Sequence, residues 1–313
     1  MTMNTLTRRA LMWACGLGLT SLAMAQTYPA KPIKLVVGYA AGGAVDIIAR
    51  TVGQSMAASM GQAVVVENKP GAGTNIAVKS VIAAEPDGYT LMMAANALAA
   101  NMSLYQPQPF DAEKDLLAVS LVGRVPVVIA AHPAVPYANV KQLIEAAKGK
   151  ANSIAYGSPG NGSTPHMAIE LFTRAAGIDL QHIPYKGGSP AITDTIGGQV
   201  PLVAVNALEA LHHVRSGKLK LIAVLSAARS TNYPDVPTIA ESGFPGFEAS
   251  VWYGIVAPAG TPKPIVQKLH DEVQKALTTK DVKERMAAVG GEVAPGSTDM
   301  FAQLIRSEAQ RYT

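Results

Sequence analysis

Four glycine-rich turns carry residue types that could bind an anion through backbone N–H groups. The first is residues 36–46, Val-Val-Gly-Tyr-Ala-Ala-Gly-Gly-Ala-Val-Asp, where an apolar strand runs into small residues and then an amphipathic helix. The predicted apolar stripe of that helix is Val45, Ile48, Ala49, Val52 and Met56. Gly42 and Gly43 carry no side chain, so the backbone here can approach a ligand closely. Because N–H groups at a helix N-terminus carry partial positive charge, this turn predicts an anion-binding site.

The other three turns are residues 68–75, 157–166 and 184–189, and each follows a predicted strand. In open α/β sheets, ligands bind beyond the carboxyl ends of the strands. One such turn is a weak signal. Four of them predict a cleft lined by backbone donors.

The third turn leaves two interpretations open. Thr164 is predicted to cap a helix whose first residue is Pro165. The predicted buried face of that helix is Met167, Ala168, Leu171, Phe172 and Ala175. Neutral polar groups lie in and before its first turn: Ser158, Asn161, Ser163 and His166. They could surround a carboxylate, or the histidine could simply bond the backbone of a capped helix.

Asp46 and Lys186 also have two interpretations each. Asp46 lies near a helix start, where a carboxylate stabilises the helix. It could in addition order the first turn for a ligand. Lys186 could supply a cation to the ligand, or it could be an ordinary solvated lysine.

The motifs of common enzymes are incomplete in this chain. Residues 71–76 resemble a dinucleotide fingerprint but have Ile76 in place of its last glycine, and residues 157–163 resemble a phosphate loop without its lysine. The remaining histidines form no metal-ligand pattern with nearby carboxylates: His132, His182, His212 and His213. A hydrolase that pairs His166 with Ser163 lacks an orienting carboxylate. The sequence therefore predicts no enzyme, no cofactor and no metal site.

Residues 1–25 are predicted to be a cleaved export signal. Arg8 and Arg9 precede an uncharged apolar stretch, and a small-x-small cleavage site ends at Ala25. Both Sec and Tat export fit this segment. The apolar run is shorter than the roughly 20 residues that a membrane-spanning helix needs. We therefore expect a periplasmic protein.

Cleavage after Ala25 would change the composition of the chain. It removes Cys15, the only cysteine, and leaves 24 basic and 22 acidic side chains, a net charge of +2. No stripe of Lys or Arg remains, so nucleic-acid binding is not expected. About 288 mature residues suit two domains of typical size.

Short apolar runs alternate with helical patterns along the whole chain and predict an α/β fold with mainly parallel sheets. The predicted strands include Ile33–Val37, Ala63–Val66, Tyr89–Ala94, Val125–Ala130, Ile154–Tyr156, Leu180–Pro184, Leu202–Val205 and Leu219–Leu225. Residues 121–126 and 226–237 are the candidate crossings between two lobes. Domain 1 is then residues 26–124 with 228–313, and domain 2 is residues 125–227.

Ordered motifs along the mature chain resemble the Bug family, the solute-binding proteins of tripartite tricarboxylate transporters. The clearest are residues 28–33 (Tyr-Pro-x-Lys-Pro-Ile), 41–50 (Ala-Gly-Gly-x-x-Asp-x-x-Ala-Arg), 61–73, 86–91, 160–166, 185–188, 197–200, 217–219, 234–238 and 252–254 (Trp-Tyr-Gly). Essentially the whole mature chain is covered.

The resemblance implies a type II periplasmic-binding-protein fold, in which two α/β lobes joined by two crossover segments close like a Venus flytrap. It implies capture of a small carboxylate for a membrane permease, by a protein that is a monomer. The candidate ligand-binding residues are Tyr39, Ala41, Gly42, Gly43, Asp46, Asn96, Ser158, Asn161, Gly162, Ser163, Thr164, His166, Lys186, Val205 and Asn206. The alternative function is a receptor that presents the bound carboxylate to a sensory partner.

Several positions depart from the family pattern. Gly38 replaces a usual proline, and Thr74 and Ala77 replace glycines; Pro201 replaces a frequent aspartate, and the chain stops at Thr313 before the usual tail. Ala44 and Val45 replace small hydroxyl residues, and Val205 replaces another frequent aspartate. These three changes make the predicted pocket less polar. We therefore expect a ligand with an apolar or aromatic body rather than an acidic amino acid.

Overall fold

The computed structural model describes residues 28–230, 232–288 and 291–311. The export signal predicted for residues 1–25, with Cys15 and the cleavage site after Ala25, lies outside the described residues. The unit that contains the candidate site spans Lys31–Thr313.

Strands and helices alternate along the described chain, which confirms the α/β class. The strands are β1 (Ile33–Val37), β2 (Val64–Asn68), β3 (Thr90–Ala95), β4 (Leu116–Ala131), β5 (Ala155–Ser158), β6 (Gln181–Pro184), β7 (Leu202–Asn206), β8 (Lys220–Val224), β9 (Ser250–Pro258) and β10 (Glu292–Val293). The helices are α1 (Ala44–Met60), α2 (Asn75–Ile82), α3 (Ala97–Leu104), α4 (Ala112–Asp115), α5 (Val140–Ala147), α6 (Thr164–Ala176), α7 (Gly188–Ile196), α8 (Ala207–Arg215), α9 (Lys263–Thr278), α10 (Lys280–Ala287) and α11 (Thr298–Arg311).

The strands form a mixed sheet rather than a mainly parallel one. Their order is β2-β1-β3-β9-β4-β7-β5-β6, with β8 and β10 also paired to β4. The outer pairs are parallel, as expected: β1 with β2 and β3, and β5 with β6 and β7. All pairs that involve β4 or β9 are antiparallel. The prediction was wrong here because these two strands carry the chain between the two parallel groups.

Strand β4 is much longer than its predicted segment, residues 125–130. Its first part, Leu116–Pro126, pairs with β9, and its second part, Val127–Ala131, pairs with β7 and β8. The first predicted crossing, residues 121–126, is therefore a continuous strand and not a linker. Apolar residues on both faces of this stretch suit a strand that is covered on both sides.

The helices bury apolar stripes against this sheet. The predicted stripe of α1 is buried in full: Val45, Ile48, Ala49, Val52 and Met56. Trp252 and Tyr253 on β9 are 2% and 0% exposed, so both side chains pack in the core. The Trp252 ring meets Phe301 of α11 edge to face, with ring centroids 5.4 Å apart. Packing on both faces holds the strand ends, and the turns that follow them, in fixed positions.

Candidate functional site

The first glycine-rich turn joins β1 to α1, and Asp46 anchors it. Asp46 is 3% exposed and lies in the first turn of the helix. It accepts hydrogen bonds from three donors: the Gly42 N–H at 3.0 Å, Arg50 Nε at 3.0 Å and Asn68 Nδ2 at 2.9 Å. Burial alone would raise the pKa of Asp46, but these hydrogen bonds, Arg50 first, outweigh it and lower that pKa. Asp46 thus stabilises the helix start and orders the turn.

A carboxyl group from a distant helix occupies the N-terminus of α1. Glu209, on α8, accepts a hydrogen bond from the Ala44 N–H through Oε1 at 2.7 Å. Its Oε2 accepts from the Asn206 N–H at 3.3 Å. The sequence predicts an anion at this turn, but in the structure the group that accepts from Ala44 belongs to the chain itself. Sequence reasoning missed Glu209, although its spacing from Asn206 is that of a capping box.

Glu209 lies in poorly solvated surroundings with two tyrosines. Its burial outweighs the hydrogen bonds it accepts and raises the pKa of Glu209 to about 7. The pKa values of Tyr39 and Tyr253 are raised as well. Burial of the two hydroxyls is the larger cause, and the nearby negative charge of Glu209 is the next. The Tyr253 hydroxyl is buried and has no hydrogen-bond partner among the described residues. A buried hydroxyl of this kind is available to a ligand or a water molecule.

The third turn joins β5 to α6, and its cap lies one residue earlier than predicted. Ser163, not Thr164, is the N-cap, and its Oγ accepts from the His166 N–H at 3.4 Å. Thr164 and Pro165 therefore form the first turn of the helix. The buried face is shifted as well: it consists of Ala168, Ile169, Phe172 and Thr173 after the first turn. Leu171, predicted to be buried, is 57% exposed.

Two histidines stack behind this turn. The rings of His166 and His182 have centroids 4.1 Å apart. His166 Nδ1 accepts from the Gly162 N–H at 3.3 Å, and Ser158 Oγ lies 2.6 Å from His182 Nε2. Burial lowers the pKa of both histidines, that of His182 to about 4, so both are neutral near pH 7. This geometry favours the backbone-bonding interpretation of His166.

The four turns meet at the same edge of the sheet. The Ala40 N–H of the first turn donates to the Lys186 carbonyl of the fourth at 2.9 Å. Residues from all four turns line one cavity of about 200 Å³, here called the outer cavity. Its lining includes Gly38, Tyr39, Gly73, Thr74, Gly160, Asn161 and Lys186. The predicted convergence of the turns therefore holds geometrically.

A smaller cavity, here called the inner cavity, lies deeper between the first and third turns. Its volume is about 20 Å³, room for about one water molecule. Apolar walls come from Ala44, Val45, Ala95, Pro159, Pro165 and Val251. Polar groups come from Tyr39, Ser163, Thr164, Asn206 and Glu209. This cavity combines a helix N-terminus, a buried carboxyl group and an apolar wall.

The candidate residues divide into three sets by position. Tyr39, Ser163, Thr164 and Asn206 line the inner cavity, and Tyr39, Asn161 and Lys186 line the outer one. The others lie in the turns or strands beside the two cavities without lining them: Ala41, Gly42, Gly43, Asp46, Ser158, Gly162, His166 and Val205. Gly188 of the fourth turn also lines the inner cavity, as expected of that turn. Sequence reasoning missed Ala95, Glu209 and Val251, which come from strand ends and a helix start that only the tertiary fold brings together.

Asn96 lies in different surroundings from the rest of the candidate set. Its Oδ1 accepts from the Trp252 N–H at 3.0 Å, and its Nδ2 donates to Glu308 Oε2 at 3.0 Å. It lines a separate cavity of about 310 Å³ with Arg124 and Glu308. The Asn96 side chain thus connects β3, β9 and α11.

The described residues hold no group of three or more His, Cys, Asp or Glu side chains placed to bind a metal ion. None of their helices is long and apolar enough to cross a membrane.

The fold, with turns from two parallel strand groups meeting at one edge of the sheet, is that of the α/β periplasmic-binding-protein class. The chain belongs to the tripartite tricarboxylate transporter family receptors, whose family model, TctC, matches residues 48–313.

Individual relatives agree with this assignment. The chain is 37% identical to the protein BugT of Bordetella pertussis over 297 residues, which cover 94% of this chain and 91% of BugT. It is similar to the structure of MatC from Rhodopseudomonas palustris with bound malate, at 31% identity and a TM-score of 0.87, covering 91% of this chain and 98% of MatC. The R. palustris protein Rpa4515 with adipate matches at 30% identity and a TM-score of 0.87, covering 91% and 96%.

Proposed function

We propose that this chain is a periplasmic receptor that captures a small organic carboxylate and delivers it to a permease of the tripartite tricarboxylate type. Family membership and the malate and adipate held by related structures support a carboxylate ligand. The observation that carries the proposal is the start of α6 on the wall of the inner cavity, where Ser163 and Thr164 lie beside Tyr39. A helix N-terminus with neutral donors favours a carboxylate.

We also propose that the described contacts belong to a closed cleft between two lobes. Residues 26–124 with 228–313 would form one lobe, and residues 125–227 the other. The change of partner along β4, from β9 to β7 and β8 near Pro126, supports this division. Contacts such as Ala40 N–H to Lys186 O then join the lobes and must part for a ligand to enter. Because the inner cavity here has room for about one water molecule, the lobes must also close less tightly around a bound ligand.

The walls of the inner cavity favour a ligand with an apolar body. Ala44, Val45, Ala95 and Val251 contribute only apolar side-chain surface. Burying that surface against a matching ligand contributes about 25 cal/mol per Å² removed from water. An acidic amino acid would instead place two charged groups against these walls.

Thermal-shift screening of the purified protein tests this function. The panel is malate, adipate, aspartate, glutamate, benzoate and straight-chain mono-acids of four to eight carbons, with the matching primary amides as uncharged controls. We expect the melting temperature to rise with acids and not with amides. Stabilisation by aspartate or glutamate, with none by aromatic or longer aliphatic acids, would refute the proposal that the ligand has an apolar body. Stabilisation by no acid would refute the carboxylate receptor.

A further inference from the structure

Both oxygens of the Glu209 carboxyl group accept a hydrogen bond from a backbone N–H. Oε1 accepts from the Ala44 N–H at the start of α1, and Oε2 accepts from the Asn206 N–H at the start of α8. The residue is 8% exposed. The second bond is made within its own helix. Two hydrogen bonds therefore hold Glu209 in the wall of the inner cavity.

Two glycines make room for this carboxyl group. A Cβ atom at Gly43 would lie 2.9 Å from Glu209 Oε1, and a Cβ at Gly188 would overlap the Glu209 carboxyl atoms. Gly43 comes from the first turn and Gly188 from the start of α7. The space that these glycines leave is thus filled by Glu209, and no room for a second carboxylate remains there.

Glu209 also lacks a cationic partner. No Lys, Arg or His forms an ion pair with it within the part of the chain that the structure describes. The N-termini of α1 and of its own helix, α8, are the positive ends that it contacts. A second carboxylate beside Glu209 would have to share these two helix ends with it, and two carboxylates in one poorly solvated site repel each other strongly.

We propose that Glu209 is a specificity-determining residue that excludes dicarboxylates, so that the ligand is a monocarboxylate whose other end is neutral. Its carboxylate binds at the start of α6, and a hydroxyl or apolar end faces Glu209 and Tyr39. A hydroxyl at that end would donate to Glu209. The inference rests on the proposed carboxylate-binding function and assigns a direction to the ligand in the cavity.

Calorimetry at pH 8.5, where the Glu209 carboxyl group is ionised, tests this inference with ligands of matched length. The probes are adipate, hexanoate and 6-hydroxyhexanoate, with the four- and eight-carbon equivalents to allow for an unknown ligand length. The proteins are the wild type, Glu209→Ser, Glu209→Gln and the control Glu145→Gln, an exposed glutamate on α5. At the best-bound length, we expect the wild type and the control to bind the hydroxy acid at least about tenfold more tightly than the diacid.

The two Glu209 variants should reduce that preference. Glu209→Ser vacates the α1 N-terminus, and we expect the diacid to bind at least as tightly as the hydroxy acid. Glu209→Gln keeps the shape and an acceptor oxygen but loses the charge, so its preference should fall to about threefold or less. Glu209→Gln also serves as the test if Glu209→Ser does not fold.

Two outcomes would overturn the inference, and they are distinguishable. If the wild type binds diacids as well as hydroxy acids, or if its preference persists in both variants, Glu209 does not select the ligand although carboxylate binding stands. If the wild type binds no acid of any length, the proposed function fails and the inference fails with it.

Discussion

The starts of α1 and α6 look alike in sequence but are used differently in the structure. Each follows a strand and a glycine-rich turn, and the first residues of each helix line the inner cavity: Ala44 and Val45 of α1, and Thr164 and Pro165 of α6. The start of α1 is occupied by the carboxyl group of Glu209. The start of α6 is capped by its own Ser163 and lines the inner cavity with neutral groups. The same local pattern thus binds a carboxyl group of the chain itself at α1, whereas at α6 it faces the cavity in which we propose that a ligand carboxylate binds.

The difference has an electrostatic consequence. A helix N-terminus offers roughly half a positive charge, enough to stabilise one carboxylate but not two. At α1 that charge stabilises Glu209, which has no cationic partner among the described residues. At α6 the surrounding histidines are neutral near pH 7, because burial lowers their pKa values. An anion at α6 would therefore meet helix dipoles and hydroxyls rather than a formal charge.

The largest expected difference between the two helix starts is in the pH dependence of stability. Because the folded protein raises the pKa of Glu209 from 4.5 to about 7, its contribution is fully present below pH 4.5 and is lost as the pH rises through 7. Relative to Glu209→Gln, the wild type should lose about 3 kcal/mol of unfolding free energy over that window. Urea denaturation at half-unit pH steps measures this difference.

The histidines contribute equally to both sides of this comparison, because the wild type and Glu209→Gln contain the same histidines. The control is Glu145→Gln, which removes an exposed glutamate, keeps Glu209 and should keep the pH-dependent loss of stability that Glu209 causes. A constant difference in stability between the wild type and Glu209→Gln across this pH range would show that the α1 terminus and its surroundings compensate fully for the burial of Glu209.

A smaller effect is expected from filling the space beside Glu209. In Gly43→Ala the new Cβ would lie 2.9 Å from Glu209 Oε1 and 3.3 Å from the Ala40 carbonyl oxygen. We expect a loss of about 2 kcal/mol of stability from this overpacking, together with weaker binding of 6-hydroxyhexanoate. Gly197→Ala, where the nearest atom would be 3.4 Å from the Cβ, should change stability by less than about 0.5 kcal/mol. If Gly43→Ala binds 6-hydroxyhexanoate with unchanged affinity, the first turn is not part of the binding site.

The sequence predicts elements well where local pattern decides them. The apolar run Ile33–Val37 is β1 without adjustment, and the helical stripe from Val45 to Met56 is buried as expected. Both features depend on neighbours within a few residues. They also position the first turn, so its place at the edge of the sheet could be predicted.

Features that depend on distant contacts could not be predicted in this way. The pairing of β4 with β9 joins residues more than a hundred positions apart, and nothing local distinguishes this crossing strand from a linker. Glu209 and Ala44 are 165 positions apart. The spacing of Asn206 and Glu209 predicts a capping box at most, since the occupation of another helix by this side chain is a tertiary contact.

The smallest expected effect separates the two roles of Ser163. Ser163→Ala removes the N-cap of α6 and should cost about 1 kcal/mol of stability. If the start of α6 also holds the ligand carboxylate, binding of 6-hydroxyhexanoate should weaken about tenfold, because the hydroxyl orders the turn that lines the cavity. The matched control is Asn139→Ala, which removes the N-cap of α5, where Asn139 Oδ1 accepts from the Gln142 N–H at 3.0 Å. It should lose similar stability and keep full affinity. Equal affinity in both variants would mean that Ser163 only caps its helix, and the carboxylate would have to be sought elsewhere in the cleft.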